Sequence, residues 1–565
     1  MSSSAASSEE LLRGVGVSPG RAAGPVAQVR PPAGEPPSYP LVPQDQVEDE
    51  AARVTAAAEA VAAALEDAAG TVEGERRELL ETTAQMAADP TLVGGAVELV
   101  RGERLPGPRA VWQAAGAVAE QLADLGGYMA ERARDVADVR NRLIAQLTGA
   151  PMPGVPQRRD PYVLVAVDLA PADTALLDPG RVRAIVTVEG GPTSHTAILA
   201  RSLGIPAVVG VEGATTRLTD GTEVLVDGGA GTVETDPSPE AVAAARTSAA
   251  ASRTFDGHGR TADGQEIELL ANVGDPAGAR VAAESGAQGV GLFRTEFCFL
   301  DRTEEPSVEE QAAAYRSVLE QFPGKKVVVR TLDAGADKPL PFVTDAEEAN
   351  PALGVRGLRT ARRAPEVLEN QLSAIARAAG EAGAEVWVMA PMVATVAETE
   401  EFVAACGRHG LGTAGVMVEV PSAALLAGPI LARADFASIG TNDLTQYAMA
   451  ADRVLGSLAE LSDPWQPAVL RLVEATCLGG AQQSRPVGVC GEAAADPALA
   501  VVLVGLGVTS LSMTPRALGD VAAVLAATDL ATCRSVSRLA VDAESAADAR
   551  AVVREKLPVL ADLGL

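Results

Sequence analysis

From about residue 263 onward the chain repeats one pattern eight times, and this repetition constrains the fold more than any other feature. Short apolar runs recur as IELLANV (267–273), GVGLFRTE (289–296), KVVVRTLD (326–333), VWVMAPM (386–392), GVMVEV (415–420), FASIGTNDL (436–444), PVGVCGE (486–492) and SLSMT (510–514). Helical stretches separate most of them. A strand–helix unit repeated eight times in roughly 300 residues is the pattern of a (β/α)₈ barrel, expected over 263–565. Such barrels carry their chemistry at the C-terminal ends of the strands. Polar residues gather at those ends here: Asn272, Arg294, Arg330, Asp333, Glu419, Asn442, Asp443, Cys490 and Glu492.

The residue types in that set suggest a chemistry. Arginine suits bidentate capture of phosphate or carboxylate. Arg294 and Arg330 end adjacent predicted strands, and Arg453 follows the sixth. Together they could grip one anion. Glu419 and Asp443 end the fifth and sixth predicted strands. Two carboxylates beside a phosphate site suit Mg²⁺, which takes few protein ligands and fills its shell with substrate oxygens. The alternative is that they only pair with the arginines. Cys490 ends the seventh strand; facing a pocket it could act as an acid with a pKa tuned toward neutrality, and otherwise it is a small buried hydrophobe. The combination points to phosphoryl chemistry on a small phosphorylated carboxylate.

The N-terminal half has a different texture. Residues 12–35 are rich in Gly, Pro and Val and read as short strands and turns. Residues 44–148 carry apolar residues at helical spacing. A Pro-rich stretch ends the helices. YVLVAVDL, RAIVTVEGG, PAVVGV and TEVLVDG (between 162 and 228) then return to strands. The simplest organisation is an α/β domain (1–35 with 149–236) interrupted by an all-helical insertion (36–148). A helical linker (237–262) would lead to the barrel.

Only three histidines occur in the chain. His258 and His409 sit in Gly-flanked segments and read as solvated loop residues. His195 follows GGPTS at the expected start of a helix, where Pro192 suits the first turn and Thr193 or Ser194 can cap. Free N–H groups and the helix dipole make this an anion site and favour a neutral, nucleophilic ring. His195 is therefore a candidate phosphoryl carrier, with a capping or core histidine as the alternative.

Composition excludes other classes. The formal charge is −29 and aromatics are 3%, which disfavours nucleic acid. The five cysteines are scattered without a CxxC pair, which fits a reducing cytoplasm rather than a disulfide framework. The N-terminus lacks a signal-peptide pattern, and no apolar run reaches membrane-spanning length.

Longer motifs then carry a resemblance. GGPTSHTAILARSLGIPAVVG resembles the phosphohistidine motif of the phosphoenolpyruvate-utilising enzymes, and DFASIGTNDLTQYAMAADR resembles their barrel signature. GLFRTEF, RTLDAGADKPLPF, ENQLSAI, GVMVEVPSAA and VCGEAAADP match in order. GVGVSPGRAAGPV is similar to the N-terminal start of the Enzyme I group of the sugar phosphotransferase system. GGYMAERARDVADVRNRL is similar to the part of that group which binds the phosphocarrier HPr.

The resemblance implies that phosphoenolpyruvate phosphorylates His195 and that HPr then receives the phosphoryl group. It implies that Arg294, Arg330, Arg453 and Asn442 grip phosphoenolpyruvate, with Arg356 and Asp443 contributing. Glu419 and Asp443 would hold Mg²⁺, and Cys490 would protonate the enolate. A homodimer through the barrel is also implied. Small departures occur: Gly335-Ala336-Asp337-Lys338 stands where Gly-Gly-Asp-Lys is usual, and Ala495 where glycine is common. Two other readings are weaker. A dikinase or synthase of the same family needs a nucleotide-binding domain, and no Gly-rich nucleotide loop precedes His195. A non-catalytic scaffold would have little reason to keep the whole set of reactive residues.

Overall fold

The computed structural model describes residues 11–29, 34–72, 75–124, 127–156, 158–169, 171–191, 194–249, 253–300, 302–334, 340–345, 348–453, 455 and 458–565. Strands are numbered in chain order: β1 (Leu11–Arg13), β2 (Val15–Ser18), β3 (Arg21–Gln28), β4 (Tyr162–Ala166), β5 (Val182–Thr187), β6 (Ala207–Val209), β7 (Glu223–Asp227) and β8 (Thr232–Thr235). The barrel strands follow: β9 (Glu268–Val273), β10 (Val290–Arg294), β11 (Lys326–Arg330), β12 (Glu385–Ala390), β13 (Ala414–Val418), β14 (Ala437–Ile439), β15 (Val487–Val489) and β16 (Ser510–Met513). The chain separates into two compact units. One holds 23–189 and 211–224; the other holds 11–22, 190–210 and 225–565.

The first unit is mainly helical. Five long helices run from Val47 to Thr148: Val47–Ala69, Glu75–Ala87, Pro90–Glu103, Gly107–Asp124 and Gly127–Thr148. In Val47–Ala69 the buried residues include Val47, Ala51, Val54, Ala58, Val61, Leu65 and Ala69, steps of three and four that form one apolar stripe. That stripe packs against Leu80, Val100, Val111, Val139 and Leu143. Pro90–Glu103 starts where Asp89 accepts the N–H groups of Thr91 and Leu92. Beside the bundle, β3, β4 and β5 pair in parallel, and β4 is buried at every residue.

In the second unit, β9 to β16 close into a fully parallel barrel in the order the repeats run. All eight expected runs contain a strand. Leu292, Val328, Met389, Met417, Phe436 and Cys490 form a buried cluster of their own. At β13, Gly415 lets the Phe436 ring come so close that an added Cβ would lie 2.4 Å from it. The same unit holds the antiparallel pairs β1–β8 and β2–β6 and the helix His195–Leu203. The helix Pro239–Ala249 lies where the helical linker is expected.

One boundary differs from expectation. The run FASIGTNDL is strand only to Ile439; Thr441–Met449 is a helix that follows Gly440 directly. Asp443 thus stands in the first turn of a helix, where its charge meets the positive helix end.

Candidate functional site

The barrel mouth gathers four arginines and four carboxylates. Arg294 and Arg330 are register partners on β10 and β11, so neighbouring strands present them side by side. Arg294 is exposed. Arg330 is mostly buried; its Nη2 donates to Glu296 at 2.9 Å and its Nη1 lies 3.2 Å from Asp333. Asp333 in turn accepts from Arg356 at 3.1 Å. Arg356 reaches on to Asp443 at 3.1 Å, and Arg453 meets the other oxygen of Asp443 at 3.1 Å. Positive and negative groups alternate along this chain, so that each arginine charge in it faces a carboxylate.

The electrostatics follow from burial and that alternation. Burial opposes the charge of Asp333, but Arg330 and Arg356 outweigh it and hold the carboxyl below its usual range. Burial also opposes the cations of Arg330 and Arg356, and the facing carboxylates keep both protonated well beyond neutrality. Glu419 behaves in the opposite way. It is 1% exposed, and burial with Asp443 and Asp333 nearby pushes its carboxyl up to about 8. The Met392 N–H donates to it at 2.6 Å, from a residue held at φ 58. A non-glycine residue in that region stores strain, which is typical of functional sites.

The donor set suits a phosphorylated anion with a divalent cation. Arg330 Nε and Thr441 Oγ1 are buried without a hydrogen-bond partner among the described residues, so donors remain for a ligand. Glu419 and Asp443 offer hard oxygens, and a cation beside Glu419 would relieve the crowding that raises its carboxyl. Among the described residues no group of three or more His, Cys, Asp or Glu forms a ready-made metal cage.

Cys490 corrects an expectation. Its thiol is 2% exposed and burial pushes it up to about 11, away from neutrality rather than toward it. The Sγ lies 3.7 Å from the Ile439 carbonyl. Such a thiol stays protonated at neutral pH, which suits an acid and not a nucleophile. Asn272 holds its backbone, donating to the Cys490 carbonyl at 3.0 Å. Asn442 accepts from the Glu492 N–H at 3.3 Å. The other four cysteines are buried thiols.

His195 is the first residue of its helix, as expected from the sequence. Ser194 is the cap, accepting from Ala197 N at 3.2 Å, and Gly204 ends the helix at φ 62. Pro192, Thr193 and the His195 side chain lie outside the described residues, as do Gly335, Ala336, Asp337 and Lys338. From the same helix Arg201 pairs with Glu492 at 2.9 Å, just beyond Cys490. Among the other histidines, His258 is exposed and His409 pairs with Glu369 at 2.7 Å. Sequence reasoning missed Glu296, which grips both Arg330 and the Asp333 N–H, and gave Asp333 no specific partner.

A parallel barrel with this mouth, and a histidine opening a helix in the same unit, defines a phosphoryl-transfer protein that works on a small acid. The comparisons place it further. Residues 248–530 match the PEP-binding domain of the PEP-utilising enzymes, 158–231 their mobile domain and 13–132 their N-terminal domain. The chain belongs to the phosphoenolpyruvate-utilising enzyme family. It is 51% identical to a phosphoenolpyruvate-protein phosphotransferase of Streptomyces coelicolor, over 97% of this chain and 99% of that one. It is 41% identical to a protein of the same name from Haloferax volcanii, over 96% and 98%. A multiphosphoryl transfer protein of Xanthomonas campestris is 37% identical over 97% of this chain and 67% of its own length.

Proposed function

We propose that this chain is a phosphoenolpyruvate–protein phosphotransferase that phosphorylates His195 and passes the phosphoryl group to a histidine of HPr. The observation that carries this reading is the barrel mouth, where Arg330 and Arg356 share Asp333, Arg356 and Arg453 share Asp443, and Arg294 stands in register beside Arg330. Arg294 and Arg330 take the phosphate, Arg453 and Asn442 orient it, and Arg356 holds Asp443 in place. Glu419 and Asp443 would hold Mg²⁺, which would neutralise phosphate charge. A ring nitrogen of His195 attacks phosphorus as the bond to the enol oxygen breaks. The Cys490 thiol then gives its proton to the methylene carbon of the enolate, which leaves as pyruvate. Protonation to the keto form draws the first step forward.

The domain reading that accompanies this is an α/β domain (1–35 and 149–236) with a helical insertion (36–148) that receives HPr, a linker (237–262) and a barrel (263–565) that binds substrate and pairs two copies. Among the described residues no helix is long and apolar enough to cross a membrane, and the relay is assigned to the cytoplasm. The test is phosphoenolpyruvate labelled in its phosphate, with Mg²⁺, with and without HPr, on wild type and His195→Ala. Acid-labile label on the wild type alone, discharged by HPr, is the expected result. Absence of label on the wild type would overturn the reading.

A further inference from the structure

The ENQLSAI stretch matches the family pattern, yet nothing in the reaction so far uses it. Its glutamine, Gln371, lies on the helix Pro365–Ala382 and is 1% exposed. Helix interiors rarely bury an amide unless every polar atom is answered. Here each one is. The Leu332 N–H donates to Gln371 Oε1 at 2.8 Å. Gln371 Nε2 donates to Thr295 Oγ1 and to the Tyr315 hydroxyl, both at 3.0 Å. The Thr295 hydroxyl passes its own hydrogen to the Arg330 carbonyl at 2.9 Å. Tyr315 passes its hydrogen to Gln311 at 3.0 Å, and Gln311 donates to the Pro306 carbonyl at 2.9 Å. Only an oxygen can accept from Leu332, so the orientation of the amide is fixed by its partners.

The backbone atoms reached are those that aim the site. Thr295 follows Arg294, the Arg330 carbonyl belongs to the register partner of Arg294, and Leu332 precedes Asp333. We infer that Gln371 is a positioning residue for phosphoenolpyruvate: it ties the ends of β10 and β11 together from behind, and so sets the spacing of Arg294, Arg330 and Asp333. This rests on the function proposed above. The group touches no substrate. It acts by holding two strand ends at one separation, and a small displacement of an anion clamp costs rate steeply. A small cavity of about 10 Å³, lined by Gln371, Thr331 and Gly357 among others, borders the amide.

The experiment uses the full chain with labelled phosphoenolpyruvate, Mg²⁺ and HPr. Gln371→Met keeps length and volume but leaves the Leu332 N–H unanswered. Tyr315→Phe breaks the same network one bond further from the strand ends. Thermal midpoints are measured beside kcat and KM for labelling by phosphoenolpyruvate. Return of label from phosphorylated HPr to His195, which uses no barrel arginine, is measured in parallel. Gln371→Met is expected to lose roughly tenfold or more in kcat/KM for phosphoenolpyruvate, with return from HPr unchanged. Tyr315→Phe is expected to lose comparable thermal stability and under about twofold in kcat/KM. If both variants lose kcat/KM in proportion to their midpoints, or Gln371→Met loses none, the positioning role is wrong. Should Gln371→Met fail to fold, Thr295→Val removes the hydroxyl between the two strands and is read by the same two outcomes. An unlabelled wild type would instead sink the functional reading beneath it.

Discussion

A thiol with a pKa near 11 is a poor nucleophile and a well-kept proton. At Cys490 that property is set by burial inside the barrel, and it fits the acid role proposed for the residue. Cys490→Ala is therefore expected to lower the rate of pyruvate formation by about 10² or more, the usual worth of a positioned acid, with little change in phosphoenolpyruvate binding. Rapid-quench measurement of pyruvate against equilibrium binding checks this, and normal turnover would remove the acid role. A second residue-scale expectation concerns the link after Arg356. Gly357 stands at φ 56, and an added Cβ would sit 2.8 Å from Met392 and 3.2 Å from Asp333. Gly357→Ala should displace Arg356 and cost roughly 1–3 kcal/mol of barrel stability. A urea titration alongside a phosphoenolpyruvate KM reads both effects, and an unchanged KM would show that Arg356 tolerates the shift. At this scale the sequence was partly legible. Arginines at strand ends announce an anion because strand ends of a barrel converge. Glu296 and Gln371 do not announce themselves, since their value lies in which backbone atoms they meet, and that depends on register and helix packing.

Among elements, the clearest titration falls where a short helix after the insertion meets the insertion's last helix. Asp173, on the helix Pro171–Ala175, is buried, and burial pushes its carboxyl up to about 6 although Arg142 pairs with it at 2.7 Å and opposes the rise. Asp138, which also pairs with Arg142, adds to the rise. Protonation is easier in the folded state than in the unfolded one. The stability tied to that proton is fully present below the unfolded pKa near 3.8 and is lost as pH rises through about 6. Asp173→Asn should remove this slope, on the order of 2 kcal/mol between pH 4 and 7, and leave Arg142 paired with Asp138. The checking measurement is the difference between wild-type and variant unfolding free energies across that range, and a constant difference would refute it. Elements were the most legible scale. All eight barrel strands overlap the expected runs, six lying wholly inside them and β12 and β13 starting one residue earlier, because parallel strands buried on both faces read as continuous apolar segments. The exception is FASIGTNDL, where Gly440 hides the change from strand to helix inside one apolar run, so that Asp443 belongs to a helix start.

For the molecule as a whole, the proposed relay asks one histidine to serve two partners. In that proposal phosphoenolpyruvate binds in the barrel mouth and HPr docks on the helical insertion. The helix of His195 must therefore be released between the two transfers, a motion of the hinge type. The ion pair between Arg201, on that helix, and Glu492, beside Cys490, marks where to test this. Replacing both by cysteine and joining them with a bis-maleimide would hold the helix at the barrel. Labelling should be selective, because all five native thiols are buried and burial pushes each up to about 11 or 12. The joined protein is expected to take label from phosphoenolpyruvate and to fail to pass it to HPr, while the same double variant left unjoined does both. Transfer to HPr at an undiminished rate after joining would mean that the histidine reaches both partners from one position, and the hinge would have to be abandoned. Loss of both steps in the unjoined variant would instead give Arg201 and Glu492 a part in the chemistry itself.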